Sequence, residues 1–194
     1  MSLKISLELS PQDLDHFRQI MNKATKARKK SSEEDILRQV RDVLKQGQTA
    51  KAPDFIKQRI QTLDKMVAMV EDVAWGLEDA DRERVLAALA YFADPEDIIP
   101  DHIPVVGFLD DAIMIELIAR ELKPELEAYH DFCLYREAEA ARRGEQVITM
   151  DRVEWLDKRR KELQSRMRRR RRGRRRTGGG GGSSSTPGSW FSSF

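Results

Sequence analysis

Apolar residues recur every three or four positions along most of this 194-residue chain. This spacing constrains the fold most strongly, because it places the apolar side chains on one face of a helix. Charged residues make up 35% of the chain, against about 25% in an ordinary globular domain, which favours long helices with solvated faces over a compact α/β enzyme. The predicted fold is therefore all-α, a small helical bundle. Seven helices are expected, over residues 10–30, 31–47, 53–77, 81–92, 110–122, 124–144 and 150–170.

Two of these helices carry clear start signals. The run from Ser10 to Asp13 combines a capping serine, a first-turn proline and an acid three residues on, which is the pattern of a capping box. Ser31 and Ser32 precede three acids and predict the second start in the same way. Gly47 is expected to end that second helix. Residues 4–9 alternate weakly and are expected to form an extended arm or a dimer contact.

Prolines interrupt the helical pattern between the fourth and fifth helices. Pro95, Pro100 and Pro104 fall within ten residues, and each disfavours helix for the residue before it. Gly107 follows them and suits a position that is closely packed or has positive φ. Pro100, Pro104 and Gly107 are therefore expected to fix a rigid turn between the two central helices.

The sequence around this turn resembles the YkvA-like family, a domain of unknown function, over about residues 85–122. The resemblance implies proximity to membranes, because some relatives place the domain beside membrane segments and it is similar to a piece of certain membrane-bound ubiquitin ligases. It implies no reaction and transfers no catalytic residue. This chain departs from the family pattern at Glu96 and His102, where members often carry apolar residues. The matching positions are Tyr91, Phe92, Pro95, Asp97, Ile98, Ile99, Pro100, Asp101, Ile103, Pro104, Gly107, Leu109, Asp110 and Asp111.

Six carboxylates, including Asp97, Asp101, Asp110 and Asp111, fall within eighteen residues of this segment. They would repel one another unless backbone N–H groups, a divalent cation or a basic partner satisfied them. The first is favoured, because Asp110 and Asp111 begin an apolar helix where side-chain acceptors cap free N–H groups. Oxygen ligands would suit Mg²⁺ or Ca²⁺, so a metal site on these four residues is the alternative, and no other cofactor is expected.

The charges are divided unevenly along the chain. Residues 1–140 hold 19 Lys and Arg against 28 Asp and Glu, whereas residues 141–194 hold 16 against 5. The basic excess centres on a run that has no evident role in packing, so it is expected to stay solvated or to bind a polyanion, either nucleic acid or anionic lipid. The predicted polyanion-binding residues are Arg166, Arg168, Arg169, Arg170, Arg171, Arg172, Arg174, Arg175 and Arg176.

A glycine- and serine-rich stretch follows the arginine run and is expected to be disordered. Trp190, Phe191 and Phe194 at its end are candidates for docking into a protein partner. Cys133 is expected to be a small buried hydrophobe. The predicted organisation is an arm (1–9), a helical pair (10–52), a YkvA-like core (53–145), a basic helix (146–172) and a disordered tail (173–194).

These patterns predict a non-enzymatic accessory or adaptor protein of bacterial type, tethered to a polyanion by its arginine-rich tail. The expected location is the cytoplasm, with peripheral attachment at the inner face of the membrane and no membrane-spanning segment. Two alternatives stay open. One is a metal-dependent enzyme that uses the carboxylate cluster, and the other is an oligomerisation protein, such as a homodimer, built on the third helix.

Overall fold

The computed structural model of the chain describes residues 8, 10–28, 31–49, 53–93, 109–144 and 154–177. Within these ranges the chain forms α-helices and one short 3-10 helix, with no strand, so the all-α prediction is confirmed. The predicted proline-rich turn, the tail beyond Thr177 and, except for Glu8, the N-terminal arm lie outside the described residues. The helices are α1 (Pro11–Arg28), α2 (Glu33–Thr49), α3 (Asp54–Glu71), α4 (Asp79–Leu89) with the 3-10 helix Ala90–Ala93, α5 (Leu109–Glu121), α6 (Lys123–Arg143) and α7 (Glu154–Thr177).

The first two helices begin where their capping signals predict. The Ser10 amide donates to Asp13 Oδ2 at 2.8 Å, and the Asp13 amide donates to Ser10 Oγ at 3.2 Å. Ser32 and Asp35 repeat the exchange at the start of α2, where the Asp35 amide donates to Ser32 Oγ at 3.1 Å. The serine hydroxyls hold the pKa of both aspartates below the usual value. The capping predictions are therefore confirmed.

Two helix ends differ from prediction. Gly47 lies inside α2 rather than at its end, and a Cβ added there would come within 2.7 Å of Ile60 Cδ1, so this glycine permits close packing of α2 on α3. The third helix ends at Glu71 instead of continuing to Leu77. Asp72 ends it, because its carboxylate offers the following amides an alternative to helical hydrogen bonds. Gly76 completes the resulting turn with a positive φ of 50°, which suits glycine.

The core is continuous from α1 to α7. Trp75 in the turn after α3 is fully buried against Phe132 of α6, with the two ring centroids 5.1 Å apart. The helix α7 contributes three buried side chains to the same core, Leu156, Leu163 and Met167. The basic helix is therefore a packed element of the fold and not an appendage.

The helices α6 and α7 form an antiparallel hairpin. Arg159 of α7 lies over the Tyr135 ring of α6, and further along α7 the partners on α6 have progressively lower numbers. The helix α7 continues through Gly173 to Thr177. The backbone of residues 173–177 is thus helical, within the segment 173–194 that was predicted to be disordered. Arginine favours helix and docking on α6 supports it, whereas one glycine costs only about 1 kcal/mol.

Candidate functional site

Two buried carboxylates lie where α4, α6 and α7 meet. Asp81 of α4 is 2% exposed, and Glu125 of α6 is completely buried. Arg171 of α7 bridges them, because its Nη1 donates to Asp81 Oδ1 at 2.6 Å and to Glu125 Oε1 at 3.1 Å. Burial opposes the charge of Arg171, but the hydrogen bonds to the two carboxylates outweigh burial and raise the pKa of its guanidinium. The arginine run therefore supplies a buried cation to the fold.

Arg168, one helical turn before Arg171, completes the contact of α7 with α4. Its Nε donates to Asp81 Oδ2 at 3.2 Å, and its Nη2 donates to Glu78 Oε1 at 2.7 Å. Gln164, a further turn back, accepts from Arg168 Nη2 at 3.3 Å. Both oxygens of the buried Asp81 are thus paired with arginines of α7.

A third arginine joins the network from α4. Arg84 Nη2 donates to Glu121 Oε1 at 2.6 Å, and its Nε lies 3.3 Å from Glu125 Oε1. The three guanidinium groups of the network are balanced by three carboxylates with little exposure. Such an arrangement is sensitive to the loss of any one member, because an uncompensated buried charge is costly. The network members are Arg84, Arg168, Arg171, Asp81, Glu121 and Glu125.

Side chains of α7 donate hydrogen bonds to the backbone carbonyl groups of the turn between α3 and α4. Gln164 Nε2 donates to the carbonyl oxygens of Trp75 at 2.9 Å and Gly76 at 3.3 Å. Arg160 Nη1 donates to the Ala74 carbonyl oxygen at 3.2 Å. Three successive carbonyls, which have no regular helical partner, are therefore satisfied by one face of α7.

The same turn is held by α6 through the carboxylate of Asp72. Its Oδ1 accepts from the amides of Ala74 and Trp75 at 2.9 and 3.0 Å. Its Oδ2 accepts from Tyr129 Oη at 3.1 Å and from Arg136 Nη1 at 2.8 Å. Burial, assisted by the charge of Asp72, raises the pKa of Tyr129 far above its usual value. Asp72 thus links the end of α3 to the middle of α6.

Further arginines of the run bind acceptors along α6 and at the end of α5. The interpretation that the run has no role in packing is therefore wrong for these residues. Sequence reasoning treated the acidic body and the basic run as separate, although their opposite charges were the signal that they could bind each other. The buried Asp81 and Glu125 were missed for the same reason. The pairs are Arg166 with Asp131, Arg170 with Glu127, and Arg174 with the Arg120 carbonyl oxygen.

The opposite face of α7 carries cations that point to solvent. Arg169 and Arg172 are exposed, as are Lys158 and Lys161 earlier in the helix. Across the ranges that the structure describes, none of the four makes a hydrogen bond or an ion pair. Arg175 and Arg176 belong to α7, but their side chains lie outside the described residues. We call Lys158, Lys161, Arg169 and Arg172 the outer row.

The carboxylates of the family motif are only partly described. Asp110 and Asp111 are buried in the first turn of α5. The described part of α5 begins at Leu109, and the residues before it lie outside the described ranges, so the predicted capping role of Asp110 stays a prediction. Asp97, Pro100, Asp101, Pro104 and Gly107 lie outside the described residues. In the part of the chain that is described, no group of three or more Asp, Glu, His or Cys side chains is arranged to hold a metal ion.

Cys133 is half-buried on α6, and burial raises the pKa of its thiol. Arg136 Nη2 lies 3.9 Å from its Sγ. The predicted docking residues Trp190, Phe191 and Phe194 lie outside the described residues. Among the helices described, none is both long and apolar enough to cross a membrane.

Comparison with known proteins gives two matches. Residues 84–117 match the family described as "Protein of unknown function (DUF1232)". They run from Arg84 in the buried network to Leu117 in α5. A Bacillus subtilis (strain 168) protein described as "Uncharacterized membrane protein YkvA" is 37% identical over 84 residues, which cover 40% of this chain and 77% of that relative. No solved structure matches the chain.

The fold and the site define a class of protein in which a basic helix docks on an acidic all-helical body through a buried network of charges. More particularly, the chain belongs to the YkvA-like family of unknown function. The family segment supplies Arg84, Asp110 and Asp111, whereas α7 lies outside the matched residues. The arginines that distinguish α7 are therefore an addition to the family segment.

Proposed function

We propose that this protein is a non-enzymatic accessory or adaptor protein whose basic C-terminal region attaches it to a polyanion. The outer row of α7 carries the proposal. It presents four cations to solvent on a helix whose other face is fixed to an acidic body. Exposed cations that have no partner among the described side chains are free to bind phosphate groups, and arginine does so with two donors at once.

Anionic lipid is the polyanion favoured here. The Bacillus relative is described as a membrane protein, and the cytoplasmic leaflet attracts basic segments by about 1 kcal/mol per Lys or Arg. We therefore place the protein in the cytoplasm, peripherally at the inner face of the membrane. The body, which carries an excess of acidic residues before residue 141, would be repelled by the same surface, so attachment would depend on the basic region.

The test is sedimentation of the full chain with vesicles of mixed phosphatidylglycerol and phosphatidylcholine, against vesicles of phosphatidylcholine alone. A DNA duplex and a single-stranded RNA of mixed sequence are measured in parallel, each over a series of salt concentrations. We expect binding to the anionic vesicles that weakens as salt rises. If none of the anionic probes binds, the proposal is wrong. Binding to nucleic acid but not to vesicles would support attachment to a polyanion and would identify nucleic acid, not the membrane, as that polyanion.

A further inference from the structure

The outer row follows a single line along α7. Its members are spaced by three, eight and three residues, so they recur on one helical face. At 1.5 Å per residue, the row from Lys158 to Arg172 is about 21 Å long. The uncharged Ser165 lies at the middle of this line and is also exposed. The spacing therefore gives two pairs of cations separated by one open position.

The orientation of this line relative to the body is fixed. Leu163 and Met167 are buried on the opposite face of α7. Arg171 is paired with the buried Asp81 and Glu125, and Arg168 reaches Asp81 from the flank of the row. Rotation of α7 to present its other arginines would expose the apolar side chains and uncover Asp81 and Glu125. Only the outer row and its immediate flanks are thus available to a large flat partner.

We infer that the outer row is the surface on which the protein rests on an anionic phospholipid bilayer, with α7 parallel to the membrane plane and the body above it. The inference rests on the proposed function and names the surface and the partner. The row is complementary to lipid phosphates in charge, and its straight line suits a plane. Lys and Arg bind the phosphates of nucleic acid as well, so the straight line of the row and the Bacillus relative described as a membrane protein are what favour the bilayer.

The side faces of α7 supply a control with matched charge. Arg166 and Arg170 lie on the same helix but are paired with Asp131 and Glu127 of α6. The variants R169Q/R172Q and R166Q/R170Q each remove two positive charges from α7. The first pair comes from the outer row, and the second comes from the edge against α6. If the outer row contacts the membrane, R169Q/R172Q should lose more affinity for anionic vesicles than R166Q/R170Q. If net charge alone attracts the protein, the two variants should lose affinity equally.

Affinity for the mixed anionic vesicles is measured for the full-length variants, with the melting temperature and helicity of each recorded. Since each basic residue contributes about 1 kcal/mol, or roughly fivefold in affinity, R169Q/R172Q should bind about 20- to 30-fold more weakly than the unaltered chain. R166Q/R170Q should lose less than about fivefold, because its side chains are already paired. Equal losses in the two variants would overturn the inference.

A gain of affinity supplies a second measurement that misfolding could not imitate. Ser165→Arg fills the open position of the outer row, and we expect binding to anionic vesicles to tighten about fivefold. Ser165→Glu should weaken binding, since it places an acid between the two pairs. Unchanged binding in both variants would contradict the inference.

The outcomes separate this inference from the proposed function. Equal binding of anionic vesicles by the unaltered chain and by R169Q/R172Q would support the proposed function and would contradict the outer row as the contact surface. A chain that binds nucleic acid but not vesicles would lose the bilayer as partner. A chain that binds no polyanion would lose both.

Discussion

The two faces of α7 carry the same residue type in opposite environments. Arg171 lies on two carboxylates that are almost inaccessible to solvent, whereas its neighbour Arg172 points into water. Arg168 and Arg169 show the same contrast one turn earlier. Adjacent arginines of one run therefore reach different environments because successive residues point in different directions around the helix. One part completes the fold, and the other remains available for binding.

Physical chemistry explains why the two faces should respond differently to change. A charge buried beside Asp81 or Glu125 cannot be replaced by water, so removal of its partner leaves a desolvated ion. An exposed cation is hydrated and screened by salt, so its removal changes stability little. Substitutions on the face of α7 that packs on the body should therefore change the free energy of unfolding, whereas substitutions in the outer row should change the affinity for a polyanion.

The largest expected effect comes from removal of α7. Truncation after residue 150 deletes Leu163 and Met167 from the core and uncovers Asp81 and Glu125. Buried leucine or methionine contributes about 2–5 kcal/mol each, and the whole fold of a domain is worth about 5–15 kcal/mol. We expect the truncated chain to lose cooperative thermal unfolding, measured by calorimetry and circular dichroism.

Truncation after Thr177 is the control, because it leaves α7 complete. Its melting temperature should equal that of the full chain. A stable, cooperative fold after truncation at residue 150 would show that α7 is an appendage and would remove the distinction between its two faces.

The next effect separates adjacent arginines. Arg171→Met should lower the free energy of unfolding by roughly 3 kcal/mol, because it leaves Glu125 and Asp81 with fewer partners. Arg172→Met should change it by less than about 0.5 kcal/mol. Urea denaturation of the two variants measures the difference directly. Equal values for the pair would mean that the inner ion pairs contribute no more than solvated ones.

Much of the fold was predictable from sequence, because helix formation here follows local signals. The capping serines Ser10 and Ser32 and the spacing of apolar residues predict both the fold class and most helix positions. The errors fall where tertiary contacts override local preference. Gly47 lies inside α2, where the close approach of Ile60 leaves no room for a Cβ, and α3 stops early because the Asp72 carboxylate accepts hydrogen bonds from the next amides.

The candidate site was less predictable, since it depends on which residues distant in sequence meet. Nothing local marks Asp81 or Glu125 as a partner of the arginine run. Their positions, 90 and 46 residues before Arg171, become meaningful only when α7 is packed against α4 and α6. The outer row follows from the same packing, because an arginine is available only if it is not already paired.

A smaller effect is expected at the edge of the inner face, where the partners are uncharged. Gln164→Leu keeps the approximate volume but removes the donors to the Trp75 and Gly76 carbonyl oxygens. Carbonyls left buried without donors cost about 1–3 kcal/mol. Ser165→Ala, on the outer face, should stay within about 0.5 kcal/mol of the unaltered chain. Hydrogen exchange in the turn between α3 and α4 should accelerate only in the first variant, and equal exchange would contradict the assigned role of Gln164.

The smallest effect concerns alkaline pH at the contact of the turn with α6. Tyr129 donates to Asp72, and its pKa is raised by burial and by that carboxylate. A raised pKa means that the neutral phenol stabilises the fold below pH 10 and that this contribution falls as the unfolded tyrosine ionises. Between pH 9 and 11 the stability advantage over Tyr129→Phe should shrink by about 1 kcal/mol. A constant difference, measured by urea denaturation, would exclude this linkage.

The five consecutive arginines from Arg168 to Arg172 have a consequence for how the position of α7 is encoded. Five adjacent residues cover every direction around a helix, so a slip of one residue would still present arginine to Asp81 and to solvent alike. The run itself therefore carries no information about its phase. That information resides in Leu163, Gln164 and Met167, whose burial and hydrogen bonds tolerate one rotation only. Deletion of one arginine from the run should accordingly still place arginines beside Asp81 and in solvent, whereas loss of Leu163, Gln164 or Met167 would remove the contacts that fix the rotation of α7.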